Sequence, residues 1–155
     1  MQKLILISSV GGHLEQLLGL NKIIEKYDTY IVTETNSTTI KMRANSTKIF
    51  LLPYISRNYL YSFIVNYFKL LIGTVKIYNK VRPDIIVTTG TGCTIPMCFL
   101  GKLMGSKVIF IETFARVRSK TLTGKICYYI ADVFIVQWKE LKNIYPKAVY
   151  LGHIY

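Results

Sequence analysis

The chain contains few cysteines and few acidic residues, and each shortage excludes some classes of function. Its three cysteines form neither a CxxC pair nor an even set, so neither a disulfide framework nor a zinc site is supported and a reduced, cytosolic compartment is expected. We predict no bound metal and no cofactor. Eight Asp and Glu stand against 20 Lys and Arg, and the resulting net charge of +12 favours a polyanionic partner such as nucleic acid or an anionic membrane.

Long apolar runs are also missing. A membrane-spanning helix needs roughly 20 mainly apolar residues. The two best windows are both interrupted, residues 59–78 by Lys69 and Lys76, and residues 85–111 by Pro96, two lysines and a glycine cluster. The apolar run at the N-terminus, about five residues, is too short for a secretory signal peptide. We therefore expect no membrane span and interpret the first run as a strand.

What is present suits one folded domain. A chain of 155 residues that is 51% hydrophobic can bury one core, so we predict a single domain over residues 1–155. The basic residues are scattered singly among Ile, Leu, Phe and Tyr, a mixture more typical of peripheral docking on a membrane than of nucleic-acid binding. We predict an anionic membrane surface as a partner and no nucleic acid.

Short apolar runs alternate with segments of helical periodicity along the chain. The pattern predicts strands at 3–8, 29–34, 48–53, 84–90, 107–112, 133–137 and 148–152, and helices at 14–26, 58–81, 95–105, 121–131 and 139–145. The polar stretch between the second and third strands is a loop or a short helix. This alternation predicts an α/β fold with a Rossmann-like, doubly wound parallel sheet, in which ligands bind beyond the carboxyl ends of the strands.

The first of these strand ends carries Gly11, Gly12 and His13. Paired glycines allow a tight turn and the close approach of a phosphate or diphosphate to backbone amides, although a plain turn is an equal alternative. His13 is a candidate general base or a hydrogen-bond donor to phosphate; the alternative is an ordinary structural histidine. GGHLEQ is not the GxGxxG fingerprint, but Glu34 at the end of the second strand keeps a free-standing nucleotide-cofactor enzyme as a rival.

A second glycine loop follows the strand at 84–90. Its hydroxyls and amides, from Thr89, Gly90, Thr91 and Gly92, can complete an anion cradle that faces the first loop. Two such loops on neighbouring strands would clasp a diphosphate between them. The alternative is that the glycines only permit tight packing.

A carboxylate and two guanidinium groups follow the strand at 107–112. Glu112 can bind sugar hydroxyls while Arg116 and Arg118 neutralise an anion, or it can form an internal salt bridge with one of them. Trp138, the only tryptophan, is either a core residue or an interface anchor.

The predicted helix over 58–81 carries an apolar arc of roughly 200°, about twice what one core contact needs. One stripe contains Leu60, Phe63, Ile64, Tyr67, Leu71, Val75 and Tyr78. The adjacent stripe contains Tyr61, Val65, Phe68 and Ile72, edged by Lys69, Lys76 and Lys80. We predict that the second stripe docks on an anionic leaflet, while burial against another helix or a partner subunit is the alternative.

Several motifs together resemble a known family. GGH at the first turn, TTG before a helix, IFIETFARV followed by SKTLTGK, then ADVFIVQW and YPKAVYLG resemble PssD/CpsF-type proteins of bacterial capsule and exopolysaccharide synthesis. These are homologous to the membrane-anchoring Alg subunit of the eukaryotic dolichyl-diphosphate N-acetylglucosaminyltransferase. The resemblance covers nearly the whole chain and is most specific over residues 108–138.

A more distant resemblance is to the acceptor-binding half of the peptidoglycan lipid-intermediate glycosyltransferase. Its first glycine loop and histidine match Gly11, Gly12 and His13, its second loop matches Gly90 and Gly92, and its His-Glu-Gln-Asn segment falls at Glu112. The present chain has fewer glycines in the first loop and continues with Thr113 and Phe114 after Glu112. His13 and Glu112 are the catalytic candidates that this resemblance implies.

The resemblance implies the acceptor and membrane half of a split GT-B glycosyltransferase. A separate catalytic subunit would then bind a UDP-sugar and transfer its hexose to a lipid-diphosphate-linked acceptor. The predicted acceptor-binding residues are Gly11, Gly12, His13, Thr89, Gly90, Thr91, Gly92 and Arg116. The C-terminal segment 148–154 is the predicted contact with the catalytic subunit, and the cytoplasmic face of the membrane is the predicted location.

Overall fold

The computed structural model describes residues 1–55 and 60–153, which form a seven-stranded sheet with the strand order β3-β2-β1-β4-β5-β6-β7. Every neighbouring pair is parallel. The strands are β1 (Lys3–Ser8), β2 (Asp28–Glu34), β3 (Ile49–Leu52), β4 (Ile85–Gly90), β5 (Lys107–Ile111), β6 (Val133–Val136) and β7 (Val149–Tyr150). The predicted Rossmann-like α/β fold is confirmed.

Six α-helices occur among the described residues: α1 (Gly12–Leu18), α2 (Asn21–Lys26), α3 (Ser37–Ala44), α4 (Leu60–Val81), α5 (Ile95–Leu103) and α6 (Leu122–Ile130). Short 3-10 turns cover Gly92–Thr94 and Lys139–Asn143. The predicted single helix over 14–26 is wrong, because α1 ends at Gly19 and a new helix begins after Leu20. The polar stretch left open between β2 and β3 contains α3, which begins at Asn36 with a reciprocal capping box.

Successive side chains of the central strands point to opposite faces of the sheet, so the hydrophobic core is divided between the two faces. In β1, Leu4 and Leu6 pack with Leu17 of α1, while Ile5 and Ile7 pack on the other face with residues of α4. Helices α4, α5 and α6 lie side by side on that second face. Their arrangement leaves the outer surfaces of three neighbouring helices without a covering layer among the described residues.

The inward face of α4 overlaps little with either predicted apolar stripe. Its buried residues are Leu70, Thr74, Ile77, Tyr78 and Val81, and only Tyr78 among them belongs to a predicted stripe. Hydrophobic periodicity gives the width of the apolar arc but does not say which part meets the sheet. Residues 58 and 59 of the predicted helix lie outside the described residues.

Candidate functional site

The loops after β1 and β4 meet where the strand order reverses. The chain passes from β1 outward through β2 and β3, then returns to place β4 on the other side of β1, and this change of direction opens a crevice at the carboxyl ends of the two strands. The hydroxyl Oγ1 of Thr89 donates a hydrogen bond of 3.0 Å to the carbonyl oxygen of His13. The two predicted glycine loops are therefore in direct contact.

Both loops need unusual backbone geometry. Gly11 and Gly90 have φ values of +83° and +97°, which side chains with a Cβ rarely adopt. Thr91 has φ +79° and ψ 163°, a strained conformation for a β-branched residue, and such strain is concentrated at functional sites. A Cβ added at Gly12 or Gly92 would meet nothing within 4 Å, so open space lies beside the backbone of both loops.

A cleft of about 360 Å³ opens between these loops and the segment after β5; we name it the anion cleft. Its lining includes seven of the predicted site residues: His13, Thr89, Gly90, Thr91, Gly92, Glu112 and Arg116. Gly11 is the N-cap of α1, and Gly12 is the first residue of that helix, directly before His13. The guanidinium of Arg116 is exposed and donates to the hydroxyl of Ser119 at 3.2 Å, which places one cation at the rim.

The imidazole of His13 is partly buried in this cleft. Desolvation by burial lowers its pKa, and a hydrogen bond with the backbone of Thr89 and the charge of Glu112 oppose the shift. Its Nδ1 has no hydrogen-bond partner among the described residues. A neutral imidazole can accept a proton from a hydroxyl group, so His13 retains the chemistry of a general base.

Glu112 is only 1% exposed, and both of its carboxylate oxygens are occupied. Oε1 accepts from the backbone amide of Thr113 at 3.0 Å, the hydroxyl of Thr121 approaches Oε1 at 3.0 Å and Oε2 at 3.2 Å, and Oε2 accepts from the hydroxyl of Tyr145 at 2.9 Å. The alternative of an internal salt bridge with Arg116 or Arg118 is not found in the described part of the chain. This geometry suits a residue that positions its surroundings, because hydrogen bonds with Thr113, Thr121 and Tyr145 occupy both carboxylate oxygens.

The Glu112 network depends on residues that the sequence did not single out. The Thr121 hydroxyl accepts from the amide of Gly124 at 2.8 Å and thereby caps the start of α6. A Cβ at Gly124 would lie 2.1 Å from Oε2 of Glu112 and 2.6 Å from the hydroxyl of Tyr145. Burial and the nearby carboxylate raise the pKa of Tyr145, which keeps its hydroxyl as a donor. The glycine in TLTGK was the available signal, since a glycine inside a helix needs a packing reason.

Trp138 anchors the loop after β5 to the sheet. Its indole Nε1 donates to the carbonyl oxygen of Phe114 at 2.8 Å, and the two rings lie 4.8 Å apart between centroids. Gln137, which is fully buried, donates to the carbonyl oxygen of Glu112 at 3.1 Å. These contacts fix the backbone of the segment after β5, which forms one side of the anion cleft.

A second cleft, of about 380 Å³, adjoins the first on the side of α4; we name it the Glu34 cleft. It is lined by Ser9, Glu34, Tyr54, Ile55, Phe63, Tyr67, Thr91, Gly92, Cys93 and Ile95. Burial raises the pKa of Glu34, and hydrogen bonds from the backbone amides of Ile55 and Val10 oppose the shift. Burial and the nearby Glu34 raise the pKa of Cys93 to about 12, so its thiol is not a nucleophile at neutral pH.

The outer face of α4 exposes most of the predicted membrane-docking residues. Tyr61, Phe68 and Ile72 are 82%, 62% and 57% exposed. Lys69, Lys76 and Lys80 are exposed as well. Val65 is the exception, because it is half-buried. Ile64 and Val75, which belong to the other predicted stripe, are exposed instead. The exposed face of α4 is therefore rotated about the helix axis from the predicted one.

Sequence reasoning missed the apolar surface of the two neighbouring helices. Helix α5 exposes Phe99 and Leu103, and α6 exposes Ile126 and Tyr129. Together with Phe68 and Ile72 of α4 we name these residues the three-helix apolar face. Exposed lysines, Lys102 and Lys125, lie on the same two helices. This surface could have been predicted from the sequence. Both helices carry more apolar residues than one side can hold, and only one side of each can meet the sheet.

Among residues 1–55 and 60–153, no helix combines the length and hydrophobicity needed to cross a bilayer. The same residues contain no cluster of three or more His, Cys, Asp or Glu that could hold a metal ion. At the end of the sheet, β7 is an edge strand paired only with β6, and Val149 and Leu151 are exposed there. Position 154 of the predicted partner segment lies outside the described residues.

Comparison with known proteins gives a family match and a set of structural neighbours. Residues 4–154 match the family described as "Oligosaccharide biosynthesis protein Alg14 like". The UDP-N-acetylglucosamine transferase subunit alg14 of Schizosaccharomyces pombe is 31% identical over 92% of this chain and 78% of its own length. The human UDP-N-acetylglucosamine transferase subunit ALG14 is 42% identical over 49% of this chain, and the match spans only 38% of that protein.

Two solved structures share the fold at low sequence identity. MurG of Acinetobacter baumannii superposes with a TM-score of 0.69 and 14% identity, over 90% of this chain and 43% of MurG. UDP-GlcNAc 2-epimerase of Methanocaldococcus jannaschii superposes with a TM-score of 0.75 and 17% identity, over 98% of this chain and 46% of the epimerase. The chain thus has the fold of about half of these larger proteins.

Proposed function

The chain belongs to the Alg14-like family of oligosaccharide biosynthesis proteins, and from this premise we propose that it is the acceptor-binding, membrane-docking subunit of a two-chain glycosyltransferase. It would form one acceptor domain over residues 1–155, and a separate catalytic subunit would bind the UDP-sugar. The observation that carries the proposal is the juxtaposition of the anion cleft, at the carboxyl edge of the sheet, with a basic-edged apolar face on the adjoining helices.

The three-helix apolar face supports the proposed docking on the cytoplasmic leaflet. Single exposed apolar residues are common on protein surfaces, but a set spread over three adjacent helices is typical of an interaction surface. Exposed lysines on the same helices and the net charge of +12 select an anionic lipid surface over a neutral apolar partner. The aromatic rings of Phe68, Phe99 and Tyr129 suit the depth of the lipid headgroups.

The anion cleft would hold the diphosphate of the lipid-linked acceptor. The open space beside Gly12 and Gly92 lets phosphate oxygens approach backbone amides, and Arg116 supplies a positive charge at the rim. His13 would then lie beside the bound acceptor as a neutral base, while Glu112 would orient the loop and the start of α6.

Partner recruitment is assigned to the β7 edge. An edge strand presents unpaired backbone groups, and the exposed side chains of Val149 and Leu151 add apolar surface. The reaction would be transfer of a hexose from the UDP-sugar during synthesis of a capsular or exopolysaccharide repeat unit. The resemblance to PssD/CpsF-type proteins supports this setting.

The test is binding to vesicles of phosphatidylglycerol with and without undecaprenyl diphosphate. We expect sedimentation with the anionic vesicles and a further gain in affinity from the lipid diphosphate. Arg116→Gln should abolish that gain and leave the basal vesicle binding intact, whereas Arg43→Gln, an exposed arginine on α3, should change neither. Equal binding with and without the lipid diphosphate would contradict the assignment of the anion cleft.

A further inference from the structure

The Glu34 cleft and the anion cleft are neighbours that share two residues. Thr91 and Gly92 line both clefts, so a ligand that fills one can continue directly into the other. The strained backbone of Thr91 lies at this junction, where a ligand would contact it from either side. Two clefts that adjoin in this way can hold adjacent parts of one ligand.

The two clefts differ in their charged groups. The anion cleft has the guanidinium of Arg116 at its rim, and the oxygens of Glu112, the carboxylate in its lining, are already engaged by Thr113, Thr121 and Tyr145. The described lining of the Glu34 cleft contains a carboxyl that is 7% exposed and no Lys or Arg, and this carboxyl can accept hydrogen bonds from neutral hydroxyls. Phosphate is therefore favoured on the Arg116 side of Thr91 and hydroxyl groups on the Glu34 side.

The walls of the Glu34 cleft suit a ring. Phe63 and Tyr67 are stacked, with centroids 6.0 Å apart and planes inclined by 15°, and Tyr54 adds a third ring to the lining. Aromatic side chains offer flat apolar faces, against which the C–H face of a sugar ring can pack while its hydroxyls point to Glu34. A volume of about 380 Å³ is at the small end for ligand pockets, which fits one sugar ring better than a dinucleotide.

On the premise of the proposed function, we propose that the Glu34 cleft is the subsite for the sugar ring of the acceptor. The ring packs on Phe63 and Tyr67, donates its hydroxyls to Glu34, and is joined past Thr91 to the diphosphate in the anion cleft. The ribose of a nucleotide offers the same chemistry, a ring with neighbouring hydroxyls next to a phosphate. Glu34 is a specificity residue in this account and takes no part in proton transfer.

The experiment is calorimetric titration of the full chain with N-acetylglucosamine 1-phosphate, AMP and pyrophosphate. Glu34→Gln retains an oxygen that can accept from the amide of Ile55 but removes the charge. We expect its affinity for N-acetylglucosamine 1-phosphate to fall by about tenfold, as for loss of a hydrogen bond to a charged group, and its affinity for pyrophosphate to stay unchanged. Glu25→Gln, an exposed position on α2, is the matched control and should leave all three titrations unaltered.

A second variant keeps the test decisive if Glu34→Gln perturbs the loops. Tyr67→Leu removes part of the aromatic face without changing Glu34. It should weaken the binding of N-acetylglucosamine 1-phosphate and leave the binding of pyrophosphate unchanged. Unchanged sugar-phosphate binding in both variants, or an equal loss of pyrophosphate binding, would overturn the subsite. If AMP binds more tightly than the sugar phosphate, the assignment of the cleft to the acceptor is wrong and its ligand is a nucleotide.

Failure of this inference and failure of the proposed function give different results. Arg116→Gln should weaken the binding of both pyrophosphate and the sugar phosphate, because it removes a positive charge from the anion cleft and leaves the Glu34 cleft unchanged. If Arg116→Gln has this effect and Glu34→Gln has none, the acceptor diphosphate site remains and only the sugar subsite is rejected. If pyrophosphate does not bind and Arg116→Gln changes nothing, the proposed acceptor site itself is rejected.

Discussion

Gly124→Ala should destabilise the protein although the residue lies in a helix. Alanine normally favours a helix by roughly 0.5–1 kcal/mol over glycine. At this position, however, the new Cβ would lie 2.1 Å from Oε2 of Glu112, 2.6 Å from the hydroxyl of Tyr145 and 2.7 Å from Oγ1 of Thr121. The carboxylate must move by more than an ångström, and the hydrogen bonds that converge on it cannot all survive.

The magnitude follows from the contacts that are lost. A hydrogen bond to a charged group contributes about 1.5–3 kcal/mol, and a helix N-cap such as Thr121 contributes about 1 kcal/mol. Loss of the Tyr145 bond together with a weakened cap, offset by the helix preference of alanine, leaves a net destabilisation of roughly 1.5–3.5 kcal/mol. For a chain of this size the midpoint of thermal unfolding should fall by roughly 3–14 °C.

Thermal and urea unfolding followed by circular dichroism measure this effect. Gly12→Ala is the matched control, because its Cβ would meet nothing within 4 Å; its stability should equal or slightly exceed that of the unmodified chain, since Gly12 also lies in a helix. Tyr145→Phe should cost less in the Gly124→Ala background than alone, since the hydroxyl has already lost its acceptor. A Gly124→Ala protein as stable as the unmodified chain would refute the convergence of these side chains on Glu112.

Two further predictions concern the membrane face and the site histidine. Phe68→Glu with Ile72→Glu should weaken binding to anionic vesicles by at least about tenfold, because each side chain is more than half exposed and would lose roughly 1–2 kcal/mol of burial in the lipid. Ile40→Glu on α3 is the control. Equal vesicle binding by the double variant and the control would reject this face. His13 has a lowered folded-state pKa, so its contribution to stability is complete above the unfolded value of about 6.5 and is lost as pH falls from that value toward the folded one. In urea unfolding between pH 7 and 5, His13→Gln should therefore lose less stability than the unmodified chain; identical profiles for the two proteins would contradict the burial argument.

Element order and fold class were predictable because each carries a local signal. Continuous apolar strands separated by helical periodicity imply a parallel sheet, and in such a sheet the residues just after each strand meet at one edge. His13, Thr89 and Glu112 are far apart in the sequence but share one cleft for this reason. The break at Gly19 was missed because leucine periodicity continues across it.

The contacts made by particular side chains were not predictable. Nothing local in the sequence indicates that Glu112 is satisfied by Thr121 and Tyr145, because the second of these bonds spans 33 positions. The orientation of α4 and the exposure of the neighbouring helices likewise depend on which part of each apolar arc meets the sheet. Such choices are made by tertiary packing, which periodicity alone does not encode.

The most direct test of the central claim is a transfer assay with each chain alone and with both together. The chain is expressed with the product of the neighbouring gene, purified from membranes, and supplied with a UDP-sugar and a lipid-diphosphate-linked acceptor. We predict co-purification, with transfer that requires both chains or is strongly enhanced by this one, and loss of the complex in Leu151→Glu at the β7 edge. Full activity of the neighbouring gene product alone, with no stable complex, would contradict the split-transferase account.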